Sequence, residues 1–328
     1  MISREIRKLN QTQILLMQNI QKEGFQMSSE LDFDPVQDED IEDIRSYLAL
    51  CEYEESNHNL VNLFQWIPWY PLFKFKTEHY YLLLGIHQGE FFLYMPLCKS
   101  EYFEEAILKG KAIFDEHQFP FVLSCFTKEM MERVLRLFPE YQACPAPESY
   151  DYVYLCEKLM SFSGKKLQKK RNHLNAFYQQ YQGRYSYESI NEKNIQECMD
   201  FLEKWKPDEE DEALIFDRIG TQRVLERYFK LGCKGGLIRI DQEVKAFAIG
   251  SHLSSSMCQE NIEKADDSIR GLYQAMIKEW LSHEFSEYEY CNREDDMGKE
   301  NLRQAKQAYA PIKMIEKYRL CKGEILSN

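Results

Sequence analysis

The sequence predicts an α/β (α+β) protein made of two similar modules placed side by side. Three observations support this class. Segments with strand and helix periodicity alternate along most of the chain, a Pro- and Ala-rich joint at residues 144–148 interrupts the pattern, and two passages, LLLGIHQGEFFLYMPL and GLIRIDQEVKAFAIGSHL, share the order strand, turn, strand. We therefore predict a peripheral extension at residues 1–27, a first module at 28–146 and a second module at 147–328.

The first module combines apolar residues at helical spacing with short runs rich in aromatic and branched residues. The two runs at residues 80–87 and 91–97 are joined by Gln88-Gly89, which is typical of a β-hairpin turn. The predicted elements are a helix at 41–50, strands at 80–87 and 91–97, a helix at 101–117, a strand at 121–125 and a helix at 128–138.

The second module repeats this alternation and contains the most strongly amphipathic helix, predicted at residues 269–283. We expect this helix to cover a sheet, because one of its faces is apolar: Ile269, Tyr273, Met276, Ile277 and Trp280. The other predicted elements are strands at 150–156, 184–189, 236–240, 244–253, 257–263, 288–291 and 309–318, and helices at 164–181, 192–205 and 221–231.

Composition is that of a globular protein with a large core, since 44% of the 328 residues are hydrophobic and 14% are aromatic. The longest apolar runs are too short to span a membrane, and residues 1–26 do not have the pattern of a signal peptide. We therefore expect a soluble, cytoplasmic protein. The ten cysteines are widely scattered, which favours reduced thiols over disulfides and over a metal site.

Charge is unevenly distributed along the chain. The net charge of −13 opposes indiscriminate binding to nucleic acid. Acidic residues concentrate at 30–43 and 207–217, whereas basic residues concentrate at 165–171. No GxGxxG or GxxxxGK[ST] motif stands at a strand–helix junction, so dinucleotide-binding and P-loop functions are not supported.

The basic run GKKLQKKRNHLNAFY, at residues 164–178, is the most cationic segment. If it is helical, its lysines lie opposite an apolar stripe, and Arg171 borders that stripe. One interpretation is a site for a phosphate-bearing ligand such as tRNA, a nucleotide-linked precursor or an anionic lipid head group. The other is a solvated helix face that balances an acidic surface.

The segment ADDSIRGLYQAM, at residues 265–276, opens the predicted helix. Asp267 or Ser268 is placed to cap it, and Arg270 and Gly271 then lie where a helix N-terminus favours anions. Acyl-CoA transferases of the GNAT type bind a pyrophosphate at the equivalent junction. A single glycine argues against tight CoA binding and is compatible with another acyl donor.

The segment NREDDMGKENLRQAKQAYAP, at residues 292–311, contains acids, a turn glycine and well-placed cations. In a helix at residues 299–307, Lys306 lies at the edge of an apolar stripe that includes Tyr309. A lysine in that position is costly to desolvate unless it serves a partner or reaches solvent. Asp295 and Asp296 either cap this helix or position a reacting ammonium group, and spacing does not decide between these roles.

Three segments, KKLQKKRNHLNAF, EKADDSIRGLYQAMIKEWL and CNREDDMGKENLRQAKQAYAP, together resemble an uncharacterised bacterial family. That family is homologous to the soluble C-terminal domain of phosphatidylglycerol lysyltransferases and, more distantly, to Fem-type peptidoglycan aminoacyltransferases. The resemblance covers about residues 30–320. It implies two tandem GNAT-like folds, each a mixed central sheet flanked by helices, and aminoacyl-tRNA as a donor. The flippase helices of the lipid enzymes and the helical-hairpin arm of many Fem enzymes have no evident counterpart in this sequence.

The resemblance also implies roles for individual residues. Lys306 resembles the lysine that polarises the ester carbonyl, Arg303 would assist it or hold a phosphate, and the preceding acidic pair would complete the catalytic set. The predicted catalytic residues are Lys306, Arg303, Asp295 and Asp296. The predicted substrate-binding residues are Arg270, Gly271, Glu260, Glu263, Lys170, Arg171 and Tyr309.

The leading hypothesis is an aminoacyl or acyl transferase that uses aminoacyl-tRNA or acyl-CoA as donor. The acceptor would be an amine or hydroxyl, such as a lipid head group or a cell-wall peptide. Two alternatives remain open: a binding module without activity, and an acyl-CoA-dependent N-acetyltransferase. The expected partners are tRNA or a phosphate-bearing small molecule, with peripheral contact to anionic lipid and no metal.

Overall fold

The structure is a computed structural model that describes residues 33–205 and 211–322. The predicted extension at residues 1–27 lies outside the described residues. The N-terminal half contains strands β1 (Asp34–Pro35), β2 (Leu72–Lys76), β3 (Tyr80–His87), β4 (Glu90–Leu93), β5 (Leu97–Cys98), β6 (Phe126–Thr127) and β7 (Tyr141–Pro145), and helices α1 (Ile41–Leu48), α2 (Leu60–Trp66), α3 (Phe103–Glu116) and α4 (Lys128–Leu137).

The C-terminal half continues the alternation of strands and helices. Its strands are β8 (Asp151–Leu155), β9 (Tyr185–Ser189), β10 (Lys234–Ile240), β11 (Glu243–Ser254), β12 (Met257–Ala265), β13 (Tyr290–Asn292), β14 (Lys313–Ile315) and β15 (Lys317–Lys322). Its helices are α5 (Cys156–Ser161), α6 (Gln168–Tyr181), α7 (Ile195–Lys204), α8 (Glu212–Glu226), α9 (Tyr228–Leu231), α10 (Leu272–Glu284) and α11 (Glu300–Gln307).

The N-terminal sheet has the order β1–β2–β3–β4, with β5 beside β3. Strand β3 is buried on both faces. Leu82 and Leu84 pack into one core with α3, whereas Tyr81 and Leu83 pack into a second core that includes residues of α1 and α2. Burial on both faces explains why the sequence YYLLLGI is continuously apolar rather than alternating.

The C-terminal sheet has the order β14–β8–β13–β12–β11–β10–β9. Strands β12 and β13 run parallel, and the other neighbouring pairs are antiparallel. Helix α10 packs against this sheet through the fully buried Met276, Ile277 and Trp280, as its amphipathic pattern predicts. Its partner on the same side is α6, whose Phe177 is in the same core.

A β-bulge in β12 sets the direction of the Glu260 and Glu263 side chains. The register with β11 pairs Ile262 with Ile249 and Glu260 with Gly250, so Asn261 is the extra residue. In a regular strand, residues three apart point to opposite faces. Because the bulge adds one residue, Glu260 and Glu263 point to the same side of the sheet.

The last strand returns to the N-terminal half. Strand β15 pairs with β6 and β7 in a small third sheet, and Cys321 of β15 forms a disulfide with Cys144 of β7. The expectation that the cysteines are all free thiols is therefore wrong for this pair. Its members are 177 residues apart in sequence, so only the strand register brings them together. The module boundary at residue 146 remains a prediction.

The predicted bounds of two strands are wrong. The strand predicted at 121–125 contributes an isolated bridge between Leu93 and Leu123, and β6 begins after it, because Cys125 has a φ of +63° that interrupts an extended strand. The strand predicted at 309–318 begins only at Lys313, since Ala310 has a φ of +58° in the turn after α11.

Candidate active site

The candidate site is built around the loop between β13 and α11. The amide of Arg293 donates to the Tyr152 carbonyl at 3.0 Å, and the Glu294 carbonyl accepts from the Tyr152 amide at 3.1 Å, so the loop begins as a continuation of the sheet. Glu294 and Met297 then have φ values of +58° and +51°. These left-handed residues turn the chain, and successive side chains therefore point in different directions.

Arg293 lies between two buried glutamates. Its guanidinium contacts Glu260 and donates to Glu263 at 2.9 Å, and all three side chains are nearly buried, with exposed fractions of 9%, 6% and 12%. Burial, and after it the charge of Glu260, raise the pKa of the Glu263 carboxyl to about 8, although the charge of Arg293 opposes this shift. The structure thus brings Glu260 and Glu263 together and adds an arginine that the sequence analysis missed.

Lys306 points from α11 towards the same loop. Its ammonium donates to the Arg293 carbonyl oxygen, and it makes no salt bridge with any of the described residues. Burial lowers the pKa of Lys306, although the carboxylates of Asp295 and Glu294 oppose this shift. The Tyr154 hydroxyl fixes the helix locally by donating to the Lys306 carbonyl at 2.8 Å. Lys306 is therefore a partly buried cation with unused N–H groups.

Asp296 and Arg303 form a structural pair beside Lys306. The buried Asp296 carboxylate accepts from Arg303 at 2.8 and 3.2 Å, from the Tyr152 hydroxyl at 2.7 Å and from the Gly298 amide at 2.9 Å. Burial opposes ionisation, but these hydrogen bonds prevail and lower the pKa of Asp296. The pair is saturated and anchors α11 to β8. The expectation that this acid caps the helix is wrong, because the N-cap of α11 is Lys299 and no side chain caps it.

Asp295 differs from its neighbour. Its carboxylate accepts only from the Met297 amide, at 2.9 Å, among the described residues. Burial raises the pKa of Asp295, while the charges of Lys317 and Lys306 oppose that shift. One of the two acids therefore fixes the loop, and the other keeps unused acceptor capacity near Lys306.

Helix α6 contributes one of its two predicted site residues. The ammonium of Lys170 lies 4.0 Å from the centre of the Tyr309 ring, and the Arg293 guanidinium lies 4.7 Å from the same ring. The Tyr309 hydroxyl accepts from Gln274 at 2.7 Å. Arg171 instead donates to the carbonyls of Phe162 and Gly164, at 2.7 and 3.3 Å. It holds the turn between α5 and α6, and its substrate-binding role remains a prediction.

Arg270 and Gly271 lie at the start of α10. Gly271 has a φ of +86°, and a Cβ there would lie 2.2 Å from the His173 carbonyl oxygen, so this glycine permits α10 to pack against α6. Arg270 is exposed. Burial lowers the pKa of His173, and the charges of Arg270, Lys170 and Lys169 lower it further, which places these cations on one side of the molecule.

Glu294 forms a polar contact between the two halves of the chain that the sequence analysis also missed. One carboxylate oxygen accepts from Asn62 of α2 at 3.0 Å and from Gln259 of β12 at 2.8 Å. Burial raises the pKa of Glu294 to about 7, although these hydrogen bonds oppose the shift. The sequence did contain a signal for Glu294, namely the four consecutive charged residues REDD directly after a buried strand. Nothing in the sequence near Asn62 indicated its partner.

We predict that Glu294→Gln alters how the free energy of unfolding depends on pH. The carboxyl has an ordinary pKa of 4.5 and a folded-state pKa of about 7. Between these values the folded chain keeps a proton that the unfolded chain has lost, so stability falls as pH rises. The variant has no carboxyl here, so its free energy of unfolding does not fall in this way. The difference in free energy of unfolding between the variant and the unaltered chain should therefore change in favour of the variant by ~3 kcal/mol from pH 4.5 to pH 7. Urea unfolding of both chains at several pH values measures this difference. A difference that does not change with pH would contradict the prediction.

The fold gives the class of the protein: it is a mixed α/β protein with a GNAT-like fold, as the resemblance implied. The chain belongs to the family described as Phosphatidylglycerol lysyltransferase, C-terminal, whose profile matches residues 48–321. The description of the family points to an aminoacyl or acyl transferase of this type.

The chain is also similar to individual proteins, of which three are given with the extent of the match. A conserved protein of unknown function from Bacteroides thetaiotaomicron VPI-5482 is 26% identical, with a TM-score of 0.82 over 89% of this chain and 99% of that chain. L-PGS from Bacillus licheniformis shares the fold at 12% identity, with a TM-score of 0.61 over 87% of this chain and 93% of that chain. An uncharacterized protein from Mycoplasmoides gallisepticum is 30% identical over 172 residues, which are 52% of this chain and only 55% of that protein.

Two further findings concern residues 33–205 and 211–322. Within them, no group of three or more His, Cys, Asp or Glu side chains is arranged to hold a metal ion. No helix in the same ranges is both long enough and apolar enough to cross a membrane.

Proposed function

We propose that the protein transfers an aminoacyl or acyl group from an ester donor to an amine or hydroxyl acceptor, with Lys306 as the cation that polarises the reacting carbonyl. One observation carries this proposal. Arg293, Arg303 and Lys317 near the loop are each paired with a carboxylate, whereas Lys306 donates to a backbone carbonyl and makes no salt bridge in the described part of the chain. Its remaining N–H groups are available to a substrate oxygen.

The chemistry follows from this arrangement. As the acceptor attacks the carbonyl carbon, negative charge develops on the carbonyl oxygen, and a partly buried cation stabilises that charge strongly. Asp295 accepts the proton that the acceptor loses and returns it to the departing hydroxyl of the donor, so that the reaction exchanges one ester for a new ester or amide. The raised pKa of Asp295 suits both halves of this task.

The donor in this proposal bears phosphate and is an aminoacyl-tRNA rather than acyl-CoA. Lys165, Lys166, Lys169 and Arg270 make no salt bridge with the described residues and are exposed. Three cations converge near His173, beside the site at which Lys170 contacts Tyr309. Such a surface attracts a phosphate backbone even though the net charge of the chain is negative. The glycine at the start of α10 is covered by α6 instead of facing an open pyrophosphate cradle.

Lys306→Met tests the catalytic proposal. We expect the rate of transfer to fall by about 10²–10³-fold, because one charged donor to the oxyanion is lost. The assay follows amino acids from a mixed pool of aminoacyl-tRNA into a total lipid extract or cell-wall peptides, with acetyl-CoA as a parallel donor. The matched control is Lys278→Met, since Lys278 also makes no salt bridge in the described residues and lies 5.2 Å from the Tyr178 ring.

Two outcomes would contradict the proposal. If Lys306→Met and Lys278→Met transfer equally fast, Lys306 has no catalytic role. If the unaltered chain transfers nothing from any of these donors, the protein is a binding module.

A further inference from the structure

Glu294 keeps one carboxylate oxygen open to a ligand. Its Oε1 accepts from the side-chain amides of Asn62 at 3.0 Å, Gln259 at 2.8 Å and Asn261 at 3.4 Å. Its Oε2 accepts no hydrogen bond from the described residues and is not fully buried. Three amides from both halves of the chain therefore fix the carboxyl group and leave one of its oxygens accessible.

The chain holds Glu294 in place at a cost in stability. Its φ of +58° lies in the left-handed region, which costs energy for a residue with a side chain. Burial of the carboxyl is a second cost, and it raises the pKa of Glu294 to about 7. Backbone strain of this kind concentrates at functional sites, where the surrounding structure maintains it. The two costs indicate a role for Glu294 beyond its contact with Asn62.

Asp295 is a second carboxyl with unused acceptor capacity, and both acids lie towards the N-terminal half. Glu294 contacts α2 of that half through Asn62. Burial raises the pKa of Tyr70 to about 12, and the charge of Asp295 contributes to this shift, so Asp295 lies near Tyr70. The two carboxyl groups therefore border the same side of the loop.

The charges around the two acids favour a cationic ligand. Lys317 acts on Asp295, but its ammonium already pairs with the buried Asp151. Lys306 acts on both acids and makes no salt bridge with either of them. When Glu294 and Asp295 are ionised, they outnumber Lys306, so this side of the site attracts a cation more strongly than an anion.

Two proton acceptors also suit an amine better than a hydroxyl. A primary alkylamine is mostly an ammonium at neutral pH. It must lose one proton before its nitrogen can attack a carbonyl and a second proton after the attack. A hydroxyl acceptor loses only one proton, for which Asp295 is sufficient.

We propose that Glu294 is a catalytic residue that takes the first proton from a primary ammonium, and that the acceptor is therefore an amine. This inference rests on the proposed function. Glu294 Oε2 removes the first proton and passes it to water, and the neutral nitrogen then attacks the carbonyl carbon polarised by Lys306. Asp295 takes the second proton and gives it to the departing hydroxyl. A C–N bond forms, the ester C–O bond breaks, and one proton is released in each turnover.

The first test examines the bond in the product. The full chain receives a mixed pool of aminoacyl-tRNA together with a total lipid extract or cell-wall peptides, and the labelled products are separated from tRNA and treated with mild alkali. Amides survive this treatment, whereas esters are cleaved. We expect labelled products that survive. Loss of all the label would reveal a hydroxyl acceptor and would overturn the inference, while the proposed function would stand.

The second test separates proton removal from a structural role. n-Butylamine is protonated at pH 7, whereas hydroxylamine is mostly neutral and needs no first deprotonation. After subtraction of the reaction without the chain, Glu294→Gln should slow transfer to butylamine by about 10²-fold and transfer to hydroxylamine by less than about threefold. Glu294→Asp keeps a carboxyl and should recover part of the butylamine rate. The control is Glu279→Gln, because Glu279 is 16% exposed and accepts from Tyr178 outside this loop.

Failure of this inference is distinguishable from failure of the proposed function. Equal losses with both amines, or no transfer to butylamine, would show that Glu294 does not remove the first proton, even if Lys306→Met still loses transfer to lipids or peptides. A chain that transfers nothing to any acceptor would overturn the proposed function and this inference together.

Discussion

Replacing Lys317 by methionine is expected to lower the free energy of unfolding by about 3–5 kcal/mol. Lys317 and Asp151 are both fully buried and form an ion pair at 2.6 Å between β15 and β8. Burial disfavours the charged form of Lys317, but the attraction of the Asp151 carboxylate opposes this effect, and the pKa of this lysine is raised overall. Without the ammonium, the carboxylate remains buried with no opposite charge. Urea unfolding at pH 7 measures the loss, which is a large part of the stability of an ordinary domain.

Two comparisons isolate the buried pair. Lys313 on the neighbouring strand pairs with Glu54 at 2.8 Å, but the two side chains are 43% and 37% exposed. Lys313→Met should therefore cost no more than about 1 kcal/mol. The double variant Lys317→Met/Asp151→Asn should recover more than half of the single-variant loss, because no unpaired charge remains. A loss at Lys317 as small as the loss at Lys313 would contradict the prediction.

Replacing Arg293 by leucine is expected to destabilise the chain by about 3–5 kcal/mol at pH 8. The arginine is the cation shared by the buried Glu260 and Glu263. Without it, two carboxylates repel each other in a site with little water, and the pKa of Glu263, which burial already raises, rises further. Protonation of Glu263 at lower pH removes that repulsion, so the loss should shrink as pH falls from 8 to 5. Urea unfolding at these two pH values gives the comparison.

Arg239 provides the matched control for Arg293. It also pairs with two glutamates, Glu188 and Glu197, and its own side chain is only 11% exposed. Its glutamates, however, are 42% and 45% exposed, so water solvates them when the arginine is absent. We expect Arg239→Leu to cost less and to depend less on pH than Arg293→Leu. Equal losses at both positions would show that burial of the glutamates does not set the cost.

Regular elements with clear periodicity were predictable from the sequence. The strand predicted at 80–87 is β3, and the helix predicted at 128–138 is α4, Lys128–Leu137. Both depend on the spacing of apolar residues within one short segment, which is a local property. The loop of the candidate site was singled out for the same reason, since its charges follow a buried strand and precede a short helix.

Pairings between distant segments were not predictable. Lys317 meets Asp151 across 166 residues, and Glu294 meets Asn62 across 232 residues. Periodicity carries no information about such partners, because strand order and register decide which side chains meet. The same holds for the bulge at Asn261, which depends on the pairing of β11 with β12.

The sequence by itself determined the α/β class and singled out the segment, residues 292–311, that contains Asp295 and Lys306, because these follow from local spacing and from the motifs that carry the resemblance. Only the tertiary structure decided which charges are already neutralised. Asp296 is saturated by Arg303, whereas Lys306 keeps unused N–H groups. Glu260 and Glu263 share Arg293 and each retain a free oxygen. The physical reason is that the state of a charge depends on its burial and its partners, and both arise only when distant strands come together.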